Sequence, residues 1–281
     1  MPDLREIADE EKKASRIVQG TRILRKKQDM VTIYTPQGRA LEYSLLALNH
    51  YRGCGHRCSY CYVPGCLHMK REAWNAMEAE PRPDIIEQLR EDAPKYAGTD
   101  KRVLLSFTGD PYCPVEPELR LTRQAMEILK ANKIPFQILT KGGTRAIDDF
   151  DLYGKNDAFA TTMTLLDADK SREIEPGAAT PDNRMFAILK AHSLKIETWV
   201  SLEPVLDAEQ SLKIIDELAL ITTLFKIGTL NHMSSDTDWR KFGIKAIESC
   251  EDWGVDYYIK TDLAKHLKGV KYHNTDTRIV K

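Results

Sequence analysis

Short apolar, β-branched or aromatic runs recur along the chain, and longer stretches separate them in which apolar residues fall three and four positions apart. The first kind predicts strands over 43–48 (YSLLAL), 102–107 (RVLLSF), 135–140 (PFQILT), 158–165 (AFATTMTL), 196–202 (IETWVSL), 224–230 (LFKIGTL) and 255–260 (VDYYIK). The second predicts helices over 117–132, 182–193, 208–220 and 236–253. Within 182–193, Met185, Ile188, Leu189 and His192 fall along one face, which reads as a core stripe.

Strand, helix, strand with short links is the pattern of parallel βαβ units, and half a dozen in succession imply a barrel or a doubly wound sheet. In both, ligands gather where strands end at their carboxyl termini. Candidate chemistry is therefore sought just after each predicted strand. The chain has no GxGxxG and no GxxxxGK[ST], so neither a dinucleotide nor a P-loop nucleotide is indicated.

Composition narrows the picture further. Of the 281 residues 42% are hydrophobic and 30% charged, with a net charge of −1. These values suit an ordinary globular protein and exclude nucleic-acid binding by bulk charge alone. No run approaches a membrane span, and the first residues, MPDLREIADEEKK, hold no apolar signal core, so a cytoplasmic protein with no membrane partner is expected. Residues 1–38 read as a charged extension, 39–262 as the α/β domain, and 263–281 as a basic tail. AKHLKGVKYHNTDTRIVK at the end sets positive charge beside an aromatic, and RILRKKQ near the start is also basic. That combination suits a nucleic-acid substrate, and it equally suits a solvated surface.

The sharpest feature is NHYRGCGHRCSYCYVPGC, residues 49–66, which holds four of the six cysteines and follows the first predicted strand. In a reducing compartment such a cluster binds metal or does chemistry. A zinc site could take Cys54, Cys58 and Cys61 with Cys66, His50, His56 or His68, but the second CxxC knuckle usual in structural zinc sites is missing. Three thiolates on one loop would also leave one iron of an iron–sulfur cluster open to a fourth, exogenous ligand.

The spacing CxxxCxxC followed by an aromatic resembles that of the radical S-adenosylmethionine (SAM) enzymes. The wider NHYRGCGHRCSYCY is similar to the form found in the spore photoproduct lyase-like subgroup, with His50 where that subgroup usually has proline. The resemblance implies a partial (βα)6 barrel with short N- and C-terminal extensions. It implies a [4Fe-4S] cluster held by Cys54, Cys58 and Cys61, with SAM chelating the open iron. One electron, from a flavodoxin- or ferredoxin-type reductant, would cleave SAM to a 5′-deoxyadenosyl radical that abstracts hydrogen from a substrate.

Further positions follow from the same likeness. Thr108, Gly109 and Asp110, after the second strand, correspond to the segment that receives the SAM ammonium; a glycine admits the close approach and a carboxylate the charge. Lys141 in TKGG, Thr162 and Thr164 on one face of the fourth strand, Arg184, and Ser201 with Glu203 in SLEPV are further candidates for holding SAM or substrate. Arg172, Glu175 and Pro176 also match the subgroup. Tyr60 and Tyr62 flank the last cysteine and are placed to stack on adenine or relay a radical. In the photoproduct lyases a cysteine just before the acidic segment returns hydrogen to the product. Phe107 stands there in this chain, and the nearest thiol, Cys113, is the candidate donor. The expected function is radical SAM chemistry on a nucleic acid or nucleotide, as in repair or modification. The alternative is a non-catalytic metal-binding protein.

Overall fold

The computed structural model describes residues 32–230, 233–276, 278 and 280. The RILRKKQ segment lies outside them. One sheet dominates. Its strands, in chain order, are β1 (Ile33–Tyr34), β2 (Leu46–Leu48), β5 (Val103–Leu105), β6 (Phe136–Thr140), β7 (Ala158–Thr162), β8 (Glu197–Leu202), β9 (Leu224–Ile227) and β10 (Asp256–Ile259), and they pair in that order. A two-stranded ribbon, β3 (Tyr51–Arg52) with β4 (Glu80–Pro81), sits apart from it. β1 runs antiparallel to β2, and every other neighbouring pair in the main sheet is parallel. Seven parallel strands thus stand where a six-stranded partial barrel is expected, β10 being the addition. No hydrogen-bonded ladder joins β10 back to β1 among the described residues, so the barrel is open.

All seven predicted strands are present, each trimmed at one end or both. They are legible because parallel strands covered on both faces read as continuous apolar runs. Helices α1 (Val63–Cys66), α2 (Arg71–Asn75), α3 (Ile85–Asp92), α4 (Glu116–Leu119), α5 (Leu121–Ala131), α6 (Ala168–Ile174), α7 (Pro181–Ser193), α8 (Ala208–Leu218), α9 (Trp239–Trp253) and α10 (Thr261–Ala264) complete the chain. Asp167, Asp207 and Asp238 cap α6, α8 and α9 by accepting first-turn backbone N–H groups.

Two expectations are corrected. Residues 117–132 do not form one helix: Arg120 takes a left-handed backbone (φ 46°) between α4 and α5. Glu116 then accepts the N–H groups of Leu121 at 3.2 Å and Thr122 at 2.9 Å, which makes the second start self-capped. The inward stripe of α7 is Arg184, Ala187, Ile188 and Ala191, whereas Leu189 is exposed and Met185 and His192 are half-buried.

Two cores follow from the alternation of side chains along the strands. The larger fills the space between sheet and helices. The smaller lies inside the barrel, where Leu104, Ala158, Ala160, Trp199 and Leu224 meet, with Tyr43, Phe107, Leu139 and Tyr258 packed against them. Alanines at 158 and 160 leave room for Trp199. The C-terminal segment is not a free tail. Asn274 accepts from the N–H of Ile259 at 2.7 Å and donates to its carbonyl at 3.2 Å, and the N–H of Thr275 donates to Tyr257 at 3.0 Å. This segment covers the free edge of β10, an edge that would otherwise present unpaired backbone groups. Lys265, Lys268 and Lys271 remain exposed on it.

Candidate active site

A cavity of about 720 Å³ opens at the carboxyl ends of the strands. Cys54, Cys58 and Cys61 line it together, on the loop that follows the β2 strand and the short β3. The loop folds tightly because Gly53 (φ 79°), Gly55 (φ 71°) and Arg57 (φ 56°) take left-handed conformations. At Gly53 a Cβ would fall 2.4 Å from the Glu78 carbonyl oxygen, so no other residue fits. Backbone bonds then pin the turn: Cys61 N–H to Cys58 O at 3.1 Å, Ser59 N–H to Ile174 O at 2.9 Å, and Gly177 N–H to His56 O at 3.0 Å. Arg71 donates to the carbonyls of Cys58 at 3.4 Å and Cys61 at 2.8 Å.

Burial pushes the Cys54 thiol well up and the Cys58 thiol to about 11. Their thiolates therefore need a cation to form, which a coordinated metal supplies. Among the described residues no three His, Cys, Asp or Glu side chains are grouped to hold a single metal ion. His50 instead bonds Thr122 at 2.8 Å in the core, and Cys66 is exposed on α1. Three soft thiols on one loop, facing a cavity whose wall His56 and Cys66 also join, fit an iron–sulfur cluster with one open corner.

The segment after β5 packs directly against this loop. Gly109 lines the cavity, and a Cβ there would lie 2.8 Å from Gly53 O. Asn49 holds the segment in place: its Oδ1 accepts from Ser106 Oγ at 2.9 Å, Phe107 N at 2.7 Å and Thr108 N at 3.0 Å. Asn49 had no role in the sequence reading, although it opens the cysteine motif. Thr108 receives Arg82 at 3.3 Å and is not in the cavity wall.

Asp110 is buried in that wall and engaged on both oxygens. Oδ1 accepts from Tyr112 N at 2.9 Å and Thr140 Oγ1 at 2.5 Å, and Oδ2 from Lys141 N at 2.8 Å. His56 Nδ1 stands 3.4 Å from Oδ2, while its Nε2 faces Arg145 Nη2 at 3.0 Å. Since arginine only donates, Nε2 accepts and the ring proton sits on Nδ1 toward Asp110. Burial works to raise the Asp110 carboxyl, but His56, Lys141 and these hydrogen bonds outweigh it and hold the group below its ordinary value. Burial keeps His56 neutral, lowered to about 4.

Lys141 and Thr162 line the same side. The Lys141 ammonium lies 5.8 Å from the Tyr60 ring centroid. Burial disfavours its charge, yet Cys58, Glu175 and Asp110 more than offset that and raise it. Tyr60 also lines the cavity and donates to Glu175. Tyr62 lines the mouth and donates to Phe107 O at 2.5 Å. Arg184 is elsewhere. It is fully buried behind the wall, where it donates to Ala179 O at 2.8 Å, Thr162 O at 3.0 Å and the Glu175 carboxylate. Every edge of that guanidinium is taken by the protein. Thr164 and Cys113 are likewise buried outside the wall, and burial raises the Cys113 thiol to about 12. Phe107 is in the wall.

The β8–β10 side of the cavity holds residues that the sequence reading did not single out. Lys260, buried at the end of β10, donates to Tyr43 Oη at 3.1 Å and to Glu203 Oε2, and lies 4.1 Å from the Tyr43 ring centroid. Tyr43 Oη meets Glu203 Oε2 at 3.0 Å and Ser201 Oγ at 3.1 Å. Lys226 lies beneath, donating to the carbonyls of Glu42 and Tyr43 at 3.2 Å each, with the Trp199 ring centroid 4.7 Å away. Neighbouring contacts bridge the open seam of the barrel. Thr261 N and Oγ1 both donate to Glu42 Oε1 at 2.6 Å, and Arg39 forms a two-point pair with Asp262 at 2.9 and 2.6 Å.

Residues 48–219 match the family model described as the Radical SAM superfamily, which is more than half of the chain. The chain belongs to the radical SAM superfamily. Membership implies a [4Fe-4S] cluster and SAM as cofactors of an enzyme. An uncharacterised protein of Methanocaldococcus jannaschii is 24% identical over 194 residues, covering 67% of this chain and 71% of that one. Among solved structures, a Tyr→Phe variant of spore photoproduct lyase superposes with a TM-score of 0.64 at 13% identity, covering 84% of this chain and 80% of the lyase. A double mutant of that lyase with bound AdoMet and dinucleoside spore photoproduct superposes with a TM-score of 0.54 at 15% identity, covering 79% and 64%. At these identities the likeness is one of fold. No helix among the described residues is long and apolar enough to cross a membrane.

Proposed function

We propose that this radical SAM protein modifies or repairs a nucleic acid or nucleotide in the cytoplasm, drawing its electron from a flavodoxin- or ferredoxin-type protein. The observation that carries the reading is the convergence of Cys54, Cys58 and Cys61 on one cavity at the carboxyl ends of the strands. When bound there, the cluster and SAM supply a 5′-deoxyadenosyl radical, a chemistry that belongs to the cofactors. The chain's own residues bind, orient and exclude water.

Cys54, Cys58 and Cys61 would hold the cluster. Asp110, held by three donors, acts through its fixed negative charge, and Lys141 is the nearby cation for a carboxylate. The cavity falls within the range of about 300–1,000 Å³ usual for small-molecule sites. A polymeric substrate would present a single extruded unit to it rather than a duplex. The likeness of fold to a lyase solved with a dinucleoside supports the choice of substrate, as do the exposed lysines 265, 268 and 271.

The test is anaerobic reconstitution with iron and sulfide, reduction with dithionite, and chromatography for 5′-deoxyadenosine. The nucleoside is expected from the wild type and absent from Cys58→Ala. A colourless protein that takes up zinc in place of iron would overturn the reading.

A further inference from the structure

The polar residues of the cavity divide by strand. Those on the β2–β7 side, Cys54, Cys58, Cys61, Asp110, Lys141 and Thr162, lie within the segment shared with the superfamily. On the β8–β10 side, Tyr43 and Lys260 lie outside that segment, before and after it. They reach the cavity only because the open barrel is clasped there by Glu42 with Thr261 and Arg39 with Asp262. What this side recognises is therefore set in part by features beyond the shared segment, with Glu203 supplied from within it.

Its chemistry is specific. Lys260 pairs with Glu203, and Arg39 pairs with Asp262, which Lys265 also meets at 2.5 Å, so each cation of this side is already engaged by a carboxylate. A phosphate placed here would confront two carboxylates and meet, in the wall itself, only cations already paired. Lys260 has three donors; Glu203 and Tyr43 take two, and no acceptor among the described residues takes the third. The side chain is buried and in the cavity wall. A buried donor of this kind calls for an acceptor atom from a ligand. Around it stand flat and apolar surfaces: Tyr43 and Phe107, edge to face at 6.3 Å, with Leu104 and Leu139. Such surfaces suit a ring that stacks.

We propose that Tyr43, Glu203 and Lys260 form the substrate-recognition subsite, and that it takes an uncharged, flat ring bearing a hydrogen-bond acceptor, such as a nucleobase, in preference to a phosphate. The assignment of the ring to the substrate rests on the function proposed above; the adenine of SAM is the competing occupant. Lys260 supplies the donor, Glu203 cancels its charge and fixes its position, and Tyr43 forms the floor.

The test titrates the cluster-loaded, SAM-bound protein with thymidine, chosen for its two ring carbonyls, and with thymidine 5′-monophosphate, by calorimetry or saturation-transfer NMR. Thymidine is expected to bind, the monophosphate no more than about threefold tighter. Lys260→Met should weaken thymidine at least tenfold and leave the SAM dissociation constant within twofold. Glu203→Gln uncovers the ammonium without removing it and should shift preference toward the monophosphate by about tenfold, which guards against misfolding of the first variant. Parallel loss of SAM affinity in Lys260→Met would assign the subsite to adenine and overturn the proposal. So would a wild type that ignores thymidine or strongly prefers the monophosphate. Failure to take up a cluster or SAM speaks against the proposed function instead, and thymidine titration of that same protein still decides the subsite.

Discussion

Lys226 is a cation inside the barrel with no carboxylate bonded to it among the described residues, and replacing it by methionine separates two effects that usually travel together. Burial lowers Lys226 from its ordinary 10.5 to about 7. The sign follows from proton counting. Between about pH 7 and 10.5 the unfolded chain holds a proton on this lysine that the folded chain lacks, so stability rises with pH across that window. At about 1.36 kcal/mol per pH unit the span amounts to roughly 5 kcal/mol, present as a penalty on the fold below pH 7. Lys226→Met removes the penalty and forfeits the contact with the Trp199 ring, worth about 2 kcal/mol in a desolvated setting. The expected net gain near pH 6 is at most roughly 2–3 kcal/mol, because the Glu42 and Tyr43 carbonyls also lose their donor, and it shrinks as the pH rises toward 10. Urea unfolding of wild type and variant under argon, at several pH values, measures it. Residues that titrate in both proteins cancel in the difference. A difference that does not change with pH, or a variant less stable near pH 6, would show that Lys226 is not depressed and refute the reasoning. The variant also frees the carbonyls of Glu42 and Tyr43, so thymidine binding should weaken even as stability grows, a trade seen where function needs a strained group.

Other outcomes are equally specific. Cys54→Ala, Cys58→Ala and Cys61→Ala should each lose the brown iron–sulfur absorption on reconstitution, and Cys66→Ala should keep it; loss in the last would add Cys66 to the ligand set. Arg184→Met strands the Glu175 carboxylate in the core and should lower stability by about 3–5 kcal/mol in denaturant titration; an unchanged midpoint would mean that Glu175 finds another partner. Gly109→Ala drives a methyl into Gly53 O, 2.8 Å from where it must sit, and should reduce both iron loading and stability, the latter by about 1–3 kcal/mol. Normal loading in that variant would show that the two loops can move apart.

What could be read from the sequence was what is local. The strands declared themselves by continuous apolar runs, and the cysteine loop by spacing alone. The helix break at Arg120 was hidden because nothing in the residue type demands a left-handed backbone. The 3₁₀ segment Gly143–Leu152 had no counterpart among the predicted elements. Arg184 looked available for a carboxylate because its partner, Glu175, is nine positions away with a turn between them. Lys226 and Lys260 were passed over for the opposite reason: a lysine in a strand reads as a solvent-facing residue, and only the closing of the barrel turns these two inward. Tyr43 carried no signal at all, since its role depends on residues 158 to 217 positions distant.

The clasp across the open seam also sets an order of events during synthesis. Thr261 meets Glu42 across 219 positions, a loop whose closure is entropically unfavourable and for which no local contact substitutes. On the ribosome the cysteine loop emerges early. At about 5–20 residues per second, the roughly 200 residues from Cys61 to Lys260 take some 10–40 s to follow. Throughout that interval the thiols lie in a half-built wall, open to oxygen and to stray metal. Assembly of the metal centre is therefore expected only after release of the finished chain, with the nascent cysteines in the care of the cell's thiol-reducing and iron-delivery systems until the last strand docks.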